Sequence, residues 1–336
     1  MKQLRLKPLH AQVIVITGAS SGIGLTTAKM AAAGGAKVVL AARDEPSLRQ
    51  AVDEIQAKGG RAIYMVADVA EPSAARQIAD AARREFGGFD TWINNAGVLM
   101  FGLATEVPLE DARRLFDVNY WGVVQGSLTA VEYLREHGGA LINIGSIDSD
   151  RSMPLQSHYS ASKQAVKGFT DALRMELEKE GVPVSVSLIK PASIATPMPQ
   201  HAKNYMAVEP TLPPPVYAPA VVAETILQCA QRPVRDVIVG GGGRLFSSLG
   251  YLLPRLMDRL MEARLFDQQK AGPRQRPSEE TNLYAPVRGS DRERGEINRH
   301  VMQSSLYTRA ALHPMLTLTG LVALTLGVVW ILRSRS

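Results

Sequence analysis

Tyr159 and Lys163 stand four residues apart in Tyr159-Ser160-Ala161-Ser162-Lys163, within a stretch whose pattern predicts a helix over 159–179. Side chains at i and i+4 share one helix face, about 5–6 Å apart at Cβ, so the ammonium can act on the phenol. A free tyrosine titrates near pH ~10 and is a poor base at neutral pH, whereas a close cation favours the phenolate and draws the pKa toward the working range. Such a pair can move a proton to or from an oxygen. An exposed aromatic beside a solvated lysine is also a common helical pair, so the surroundings decide. Ser146 follows a predicted strand over 140–144, thirteen positions before Tyr159. Its hydroxyl can hydrogen-bond a carbonyl and stabilise charge developing on the oxygen.

The elements that would position these groups start with Val13-Ile14-Val15-Ile16, continuously apolar and β-branched as a central parallel strand should be. The run breaks into Thr17-Gly18-Ala19-Ser20-Ser21-Gly22-Ile23-Gly24. Gly18 permits a sharp turn, Gly22 removes a Cβ that would hold a pyrophosphate away, and Gly24 lets the next helix lie close to the sheet. That helix, from about Ile23, would aim free N–H groups and its positive dipole end at phosphates. Strands over 37–42, 61–66, 89–93, 140–144, 184–189 and 236–239 alternate with helices over 23–33, 46–58, 73–86, 109–135, 159–179 and 221–231. Alternation of this kind predicts a Rossmann-type α/β fold, a single doubly wound domain with a parallel sheet. The second strand ends in Ala41-Ala42-Arg43. A carboxylate there would bind a ribose 2′-hydroxyl and an arginine a 2′-phosphate, so NADP(H) is preferred and NAD(H) possible. Asn94-Asn95-Ala96-Gly97 follows the fourth strand, at the sheet edge where ligands of open α/β sheets bind.

The Thr-Gly-x-x-x-Gly-x-Gly turn, the Asn94-Asn95-Ala96-Gly97 turn and the Tyr159/Lys163 motif, in this order, resemble the short-chain dehydrogenase/reductase family over roughly residues 12–243. The resemblance implies hydride transfer between nicotinamide and a carbonyl or secondary alcohol, with Asn119, Ser146, Tyr159 and Lys163 as the catalytic set. Tyr159 would donate the proton, Ser146 would orient the substrate, and Asn119 would support a water linking the lysine to solvent. Lys163 would also hold the nicotinamide ribose. The cofactor would lie against Gly18, Ser20, Ser21, Gly22, Ile23, Gly24, Arg43, Asp68, Val69, Asn95, Ala96 and Gly97, and against Pro191 and Thr196 beyond the sixth strand. Asp68 matches the family's adenine-contacting aspartate, although an aspartate there can simply turn the chain before Pro72. Ala192 departs from the family's usual glycine.

The domain is expected to occupy residues 1–244; its proline-rich stretch, 191–219, reads as a mobile substrate lid or a plain surface loop, and the resemblance favours the lid. An amphipathic stretch, 245–266, has packing on the domain as its default, a membrane surface or the active site being other places for it. Residues 267–311 are charged, with Pro and Gly and few large apolar side chains, and read as a flexible tether. The eighteen residues 315–332 carry no charge, which predicts a transmembrane helix over 312–332 and a short basic tail, 333–336. Basic residues outnumber those of the tail on the tether side, so a membrane protein anchored once, with its catalytic domain facing the cytoplasm, is expected. A lipophilic substrate fits that placement, and a homo-oligomer is possible. The single cysteine, Cys229, excludes an intrachain disulfide. The six histidines lack metal-ligand spacing, so no metal is expected. The basic excess lies beside the apparent span, which favours lipid headgroups over nucleic acid. The rival readings are a nucleotide-sugar epimerase or dehydratase, which can share the Tyr/Lys pair, and a non-catalytic membrane-bound dinucleotide scaffold.

Overall fold

The computed structural model describes residues 4–273, 280–287, 292–297, 299–313 and 317. Seven parallel strands form the sheet, named here β1 (Val13–Thr17), β2 (Lys37–Ala42), β3 (Arg61–Val66), β4 (Thr91–Asn94), β5 (Gly139–Ile144), β6 (Val184–Pro191) and β7 (Asp236–Val239). Their spatial order is 3-2-1-4-5-6-7, so the chain reverses direction across the sheet between β1 and β4. Both neighbours of β1 are parallel, with Val15 opposite Val39 on one side and Trp92 on the other. Ligands of open sheets bind outside the strand ends at such a reversal, and the glycine turn leaves β1 there.

Every residue of β1 is buried because helices cover both faces. Alternation sends Ile14 and Ile16 into one core with α1 (Gly22–Ala33) and α2 (Glu45–Ala57), and Val13 and Val15 into the other with α3 (Ala74–Phe86). Each fully buried isoleucine contributes roughly 1.5–3 kcal/mol. The sheet therefore holds the β1 end rigidly, which the site requires.

The helix predicted over 109–135 comprises α4 (Leu109–Phe116), a π-helical turn (Asp117–Trp121) and α5 (Gly122–His137). Next come α6 (Ser157–Glu180) and α7 (Pro219–Cys229). Cys229 is free and buried, as expected of a small core side chain, and burial pushes its thiol up to about 12.

Beyond β7 the structure departs from expectation. The amphipathic stretch is two helices, α8 (Gly241–Leu252) and α9 (Pro254–Gln268), broken at Leu253-Pro254 because proline lacks the N–H and crowds the preceding turn. The first of them begins before the expected domain boundary at 244. Polar contacts dock the pair: Ser247 Oγ donates to Asp150 at 2.9 Å, and Arg151 pairs with Asp258. Leu245, Tyr251, Leu252, Leu253, Leu256 and Leu260 stay exposed.

The flexible-tether reading of 267–311 is corrected over its described residues. Lys270–Pro273 pairs antiparallel with Val208–Pro210, and Val301–Met302 pairs parallel with Val216–Tyr217. Both pairings brace the proline-rich loop. A short helix, α10 (Leu306–Leu312), packs beside β7 and donates no charge run to solvent: Thr308 Oγ1 accepts the Gly240 N–H at 3.0 Å. The segment adheres through backbone pairing, which side-chain hydrophobicity does not reveal. The expected membrane span lies outside the described residues except for Leu312, His313 and Thr317, and the basic tail lies wholly outside them. Among the described residues no helix is long and apolar enough to cross a membrane.

Candidate active site

One cavity of about 230 Å³ runs from Arg43 and Asp68 past the glycine turn to Ser146, Tyr159 and Lys163. At the turn, Gly18 takes a φ of 65° and Gly22 one of 54°, the left-handed region that favours glycine. Asn95 ties this turn to the end of β4: its Nδ2 donates to Thr17 O at 2.9 Å and to Gly18 O at 3.1 Å. The Thr17 hydroxyl accepts the Asn95 and Ala96 N–H groups at 3.0 and 3.1 Å. The Asn95 side chain thus shapes the cradle, a structural job beside its expected cofactor role. Asn94 instead joins a buried network with Ser127 and Asn143, reaching them at 3.0 and 2.8 Å.

Ser20, Ser21 and Ile23 line the cavity with Val69, Ala96, Gly97, Pro191 and Thr196. The Thr196 side chain sits against Gly22, whose added Cβ would meet Thr196 Cγ2 at 3.1 Å. Gly24 does not line the cavity; it packs α1 against the turn. Arg43 and Asp68 form an ion pair at 3.6 Å, and Arg114 also pairs with Asp68. Asp68 accepts the Ala70 N–H at 3.0 Å as well, so it both turns the chain and faces the cavity. Asp44, next to Arg43, accepts the Ser47 hydroxyl at the start of α2.

The expected catalytic set converges. Ser146 leaves β5 with its hydroxyl accepting the Asp148 N–H at 3.1 Å, which frees its own O–H to donate into the cavity. Lys163 Nζ donates to Ile144 O at 2.9 Å and lies 5.7 Å from the Tyr159 ring centre. Asn119 sits within the π-helical turn and is buried. It clips Val98 on both sides, accepting its N–H at 2.8 Å and donating to its carbonyl at 2.9 Å, and reaches Ser162 Oγ at 3.2 Å. Asn119 therefore ties the π-helical turn to the backbone that follows β4.

Electrostatics add a residue that motif reading passes over. Asp148, buried two positions beyond Ser146, accepts from Ser160 Oγ at 3.3 Å. Burial pushes its carboxyl up to about 7, against the opposing pull of the Ser160 bond and the Lys163 charge. Burial also draws Lys163 down to about 8, Asp148 opposing, and raises the Tyr159 phenol, with Asp148 adding to the rise and Ser146 resisting it. The lowered phenol pKa expected from the Tyr159/Lys163 spacing is therefore not found, because burial dominates, and a neutral phenol held beside an ammonium is a proton donor at neutral pH. An acidic residue one turn past the β5 edge was the available signal for Asp148.

At the substrate end, Met153, Met198, Pro199, Leu212 and Pro213 make apolar walls, with Gln156 and His201 among them. Gln156 Nε2 reaches Gln269 Oε1 at 2.5 Å, which ties the end of α9 to the cavity wall. Among the described residues no His, Cys, Asp and Glu cluster could hold a metal.

A glycine-cradled sheet edge facing a Ser/Tyr/Lys centre is an arrangement suited to an oxidoreductase. The family described as short chain dehydrogenase matches residues 12–206. The uncharacterized oxidoreductase YxnA of Bacillus subtilis (strain 168) is 46% identical over 327 residues, covering 96% of this chain and 92% of its own length. A 3-oxoacyl-(acyl-carrier-protein) reductase of Synechocystis sp. is 36% identical over 235 residues, 69% of this chain and 94% of that protein. The crystal structure of a short chain dehydrogenase/reductase from Burkholderia phymatum in complex with NAD superposes with a TM-score of 0.66 at 26% identity, covering 82% of this chain and 100% of that one. The chain belongs to the short-chain dehydrogenase family, oxidoreductases acting on CH–OH groups.

Proposed function

We propose that the protein is an NADP(H)-dependent oxidoreductase interconverting a carbonyl and a secondary alcohol on a lipophilic substrate at a membrane. The observation that carries this reading is the single cavity with Arg43 at one end and Ser146, Tyr159 and Lys163 at the other. The residues present fit a dinucleotide, because Gly18, Ser20, Ser21 and Gly22 line the cavity where β1 ends and the two glycines, in the left-handed region, leave no Cβ between the turn and a pyrophosphate. When bound, NADPH supplies the hydride that reduces the carbonyl carbon. Ser146 orients the carbonyl oxygen and stabilises its growing charge, and Tyr159 gives it a proton. Lys163 stabilises the phenolate left behind.

Arg43 supports the choice of NADP(H), since a guanidinium pairs with a phosphate, which would replace or share the longer pairing with Asp68 at 3.6 Å. The wild-type chain should bind NADPH more tightly than NADH by nicotinamide fluorescence, and Arg43→Ala should weaken NADPH roughly 10- to 100-fold while barely changing NADH. Equal affinities in the wild type would sink the preference.

The apolar cavity walls support a lipophilic substrate. Residues 315–332, together with the exposed leucines and Tyr251 of α8 and α9, support attachment to a bilayer with the domain on its cytoplasmic side. The full chain should stay in the membrane fraction after alkaline carbonate extraction, and complete release into the soluble fraction would rule the anchor out.

A further inference from the structure

Two described stretches of the segment expected to be a tether, 280–287 and 292–297, pack beside the cavity. On one side, Leu283 is fully buried with Val98, Leu99 and Leu115. The Asn282 N–H donates to His201 O at 2.8 Å, the Tyr284 hydroxyl donates to Asp111 at 2.7 Å, and Arg114 Nε donates to Leu283 O at 3.2 Å. On the other side, Arg292 O accepts the Gly22 N–H at 3.0 Å and Glu293 takes the Thr26 hydroxyl at 3.0 Å and Lys29 at 3.2 Å. The Gly295 N–H donates to Ala195 O at 3.2 Å. Contact there is close, since a Cβ on Gly295 would fall 2.4 Å from Thr196 O.

Asn282, Pro286 and Val287 form part of the cavity wall. Two details point to a ligand. Asn282 Oδ1 is buried and has no hydrogen-bond partner among the described residues. An orphaned buried acceptor costs about 1–3 kcal/mol, which a donor on a bound molecule would remove. The Arg43 guanidinium donates to three successive carbonyls, of Asn282, Leu283 and Tyr284, the last at 3.1 Å. The carbonyls fix the guanidinium without cancelling its charge, the countercharge it pairs with, Asp68 at 3.6 Å, is shared with Arg114, and a five-donor group retains N–H groups to offer.

We propose that Asn282–Val287 forms a clasp over the adenosine half of the cofactor, with Arg292–Gly295 anchoring the segment at the glycine turn. Asn282 Oδ1 accepts from an adenosine donor, the adenine amino group or a ribose hydroxyl, and the three carbonyls position Arg43 beside it. The proposal rests on the dinucleotide reading above. Because the adenosine donors are common to both cofactors, Asn282 serves affinity for either one, and cofactor exchange requires the clasp to lift.

The test uses the full chain and measures NADPH and NADH dissociation constants, the NADPH release rate by displacement with excess NADP+, and amide hydrogen exchange. Asn282→Ala should weaken both cofactors roughly tenfold. Tyr284→Phe, which removes only the Asp111 anchor at the surface, should speed release roughly threefold with the melting temperature unchanged. The Asn282 and Gly295 amides should exchange more slowly once NADPH is added. Unchanged affinity and release in both variants would overturn the clasp and leave the dinucleotide reading intact. Faster exchange on adding NADPH would also overturn it, since the segment would then be a plug that the cofactor displaces. A folded wild-type chain that binds neither cofactor would remove the dinucleotide reading, and the clasp with it.

Discussion

Tyr159→Phe should lower kcat for carbonyl reduction by about three orders of magnitude while leaving NADPH affinity within about twofold. The change removes one hydroxyl from a buried ring and preserves its packing, so the loss reports the proton alone. Ser146 would still orient the carbonyl, and residual turnover would come from that bond and from binding. A variant with tenfold or smaller loss would show that another group supplies the proton. The same centre predicts a pH signature through Asp148. Below about 7 its carboxyl is neutral, and above that its charge helps keep the Tyr159 phenol protonated. Alcohol oxidation needs the phenolate, so its rate should rise with pH, and Asp148→Asn, by deleting the repelling charge, should move that rise to lower pH. A rise that moves upward, or stays in place, would show that Asp148 does not act on Tyr159.

What the sequence reveals depends on which part of the chain makes the contact. Val13–Ile16 announce a central strand because a parallel strand covered on both faces has no polar side to display. Gly18, Gly22 and Gly24 are legible for a related reason: each is required by the backbone around it. The convergence of Tyr159, Lys163 and Ser146 could be read because the first two share a helix face and Ser146 follows a strand end. Asn119 was legible only by resemblance, since nothing in Asp117-Val118-Asn119 signals a π-helical turn. The tether segment was misread for a physical reason. Of its described residues, Leu283 alone is a large buried apolar anchor, and beside a few polar side chains such as Tyr284 and Glu293 the segment holds on through carbonyls and N–H groups that every residue type possesses. Composition measures side chains, so a strand or strap bound by its backbone looks like a linker. The break between α8 and α9 did carry a signal, Pro254, inside an otherwise continuous amphipathic pattern.

Gly24→Ala should be among the most damaging single-methyl additions in the chain, and the reason lies in what the methyl would strike. An added Cβ would stand 2.2 Å from Gly18 O, 2.9 Å from Gly18 C and 2.6 Å from Asn95 Nδ2. Two of these atoms are backbone, and the third belongs to a side chain already held by Thr17 O and Gly18 O. None can swing aside, so α1 must move off the turn. Overpacking of this kind costs about 1–3 kcal/mol. The function should suffer more than the fold, because displacing α1 spreads the cradle: NADPH affinity should fall by more than about tenfold, against a melting temperature lower by several degrees. Gly168→Ala provides the contrast. Gly168 lies inside α6 with nothing within 4 Å of an added Cβ, and alanine is the better helix former by about 1 kcal/mol. That variant should melt slightly higher and bind NADPH as the wild type does. If Gly24→Ala bound NADPH normally at an unchanged melting temperature, the turn would be pliable, and close packing of α1 against Gly18 could not be what shapes the cofactor site.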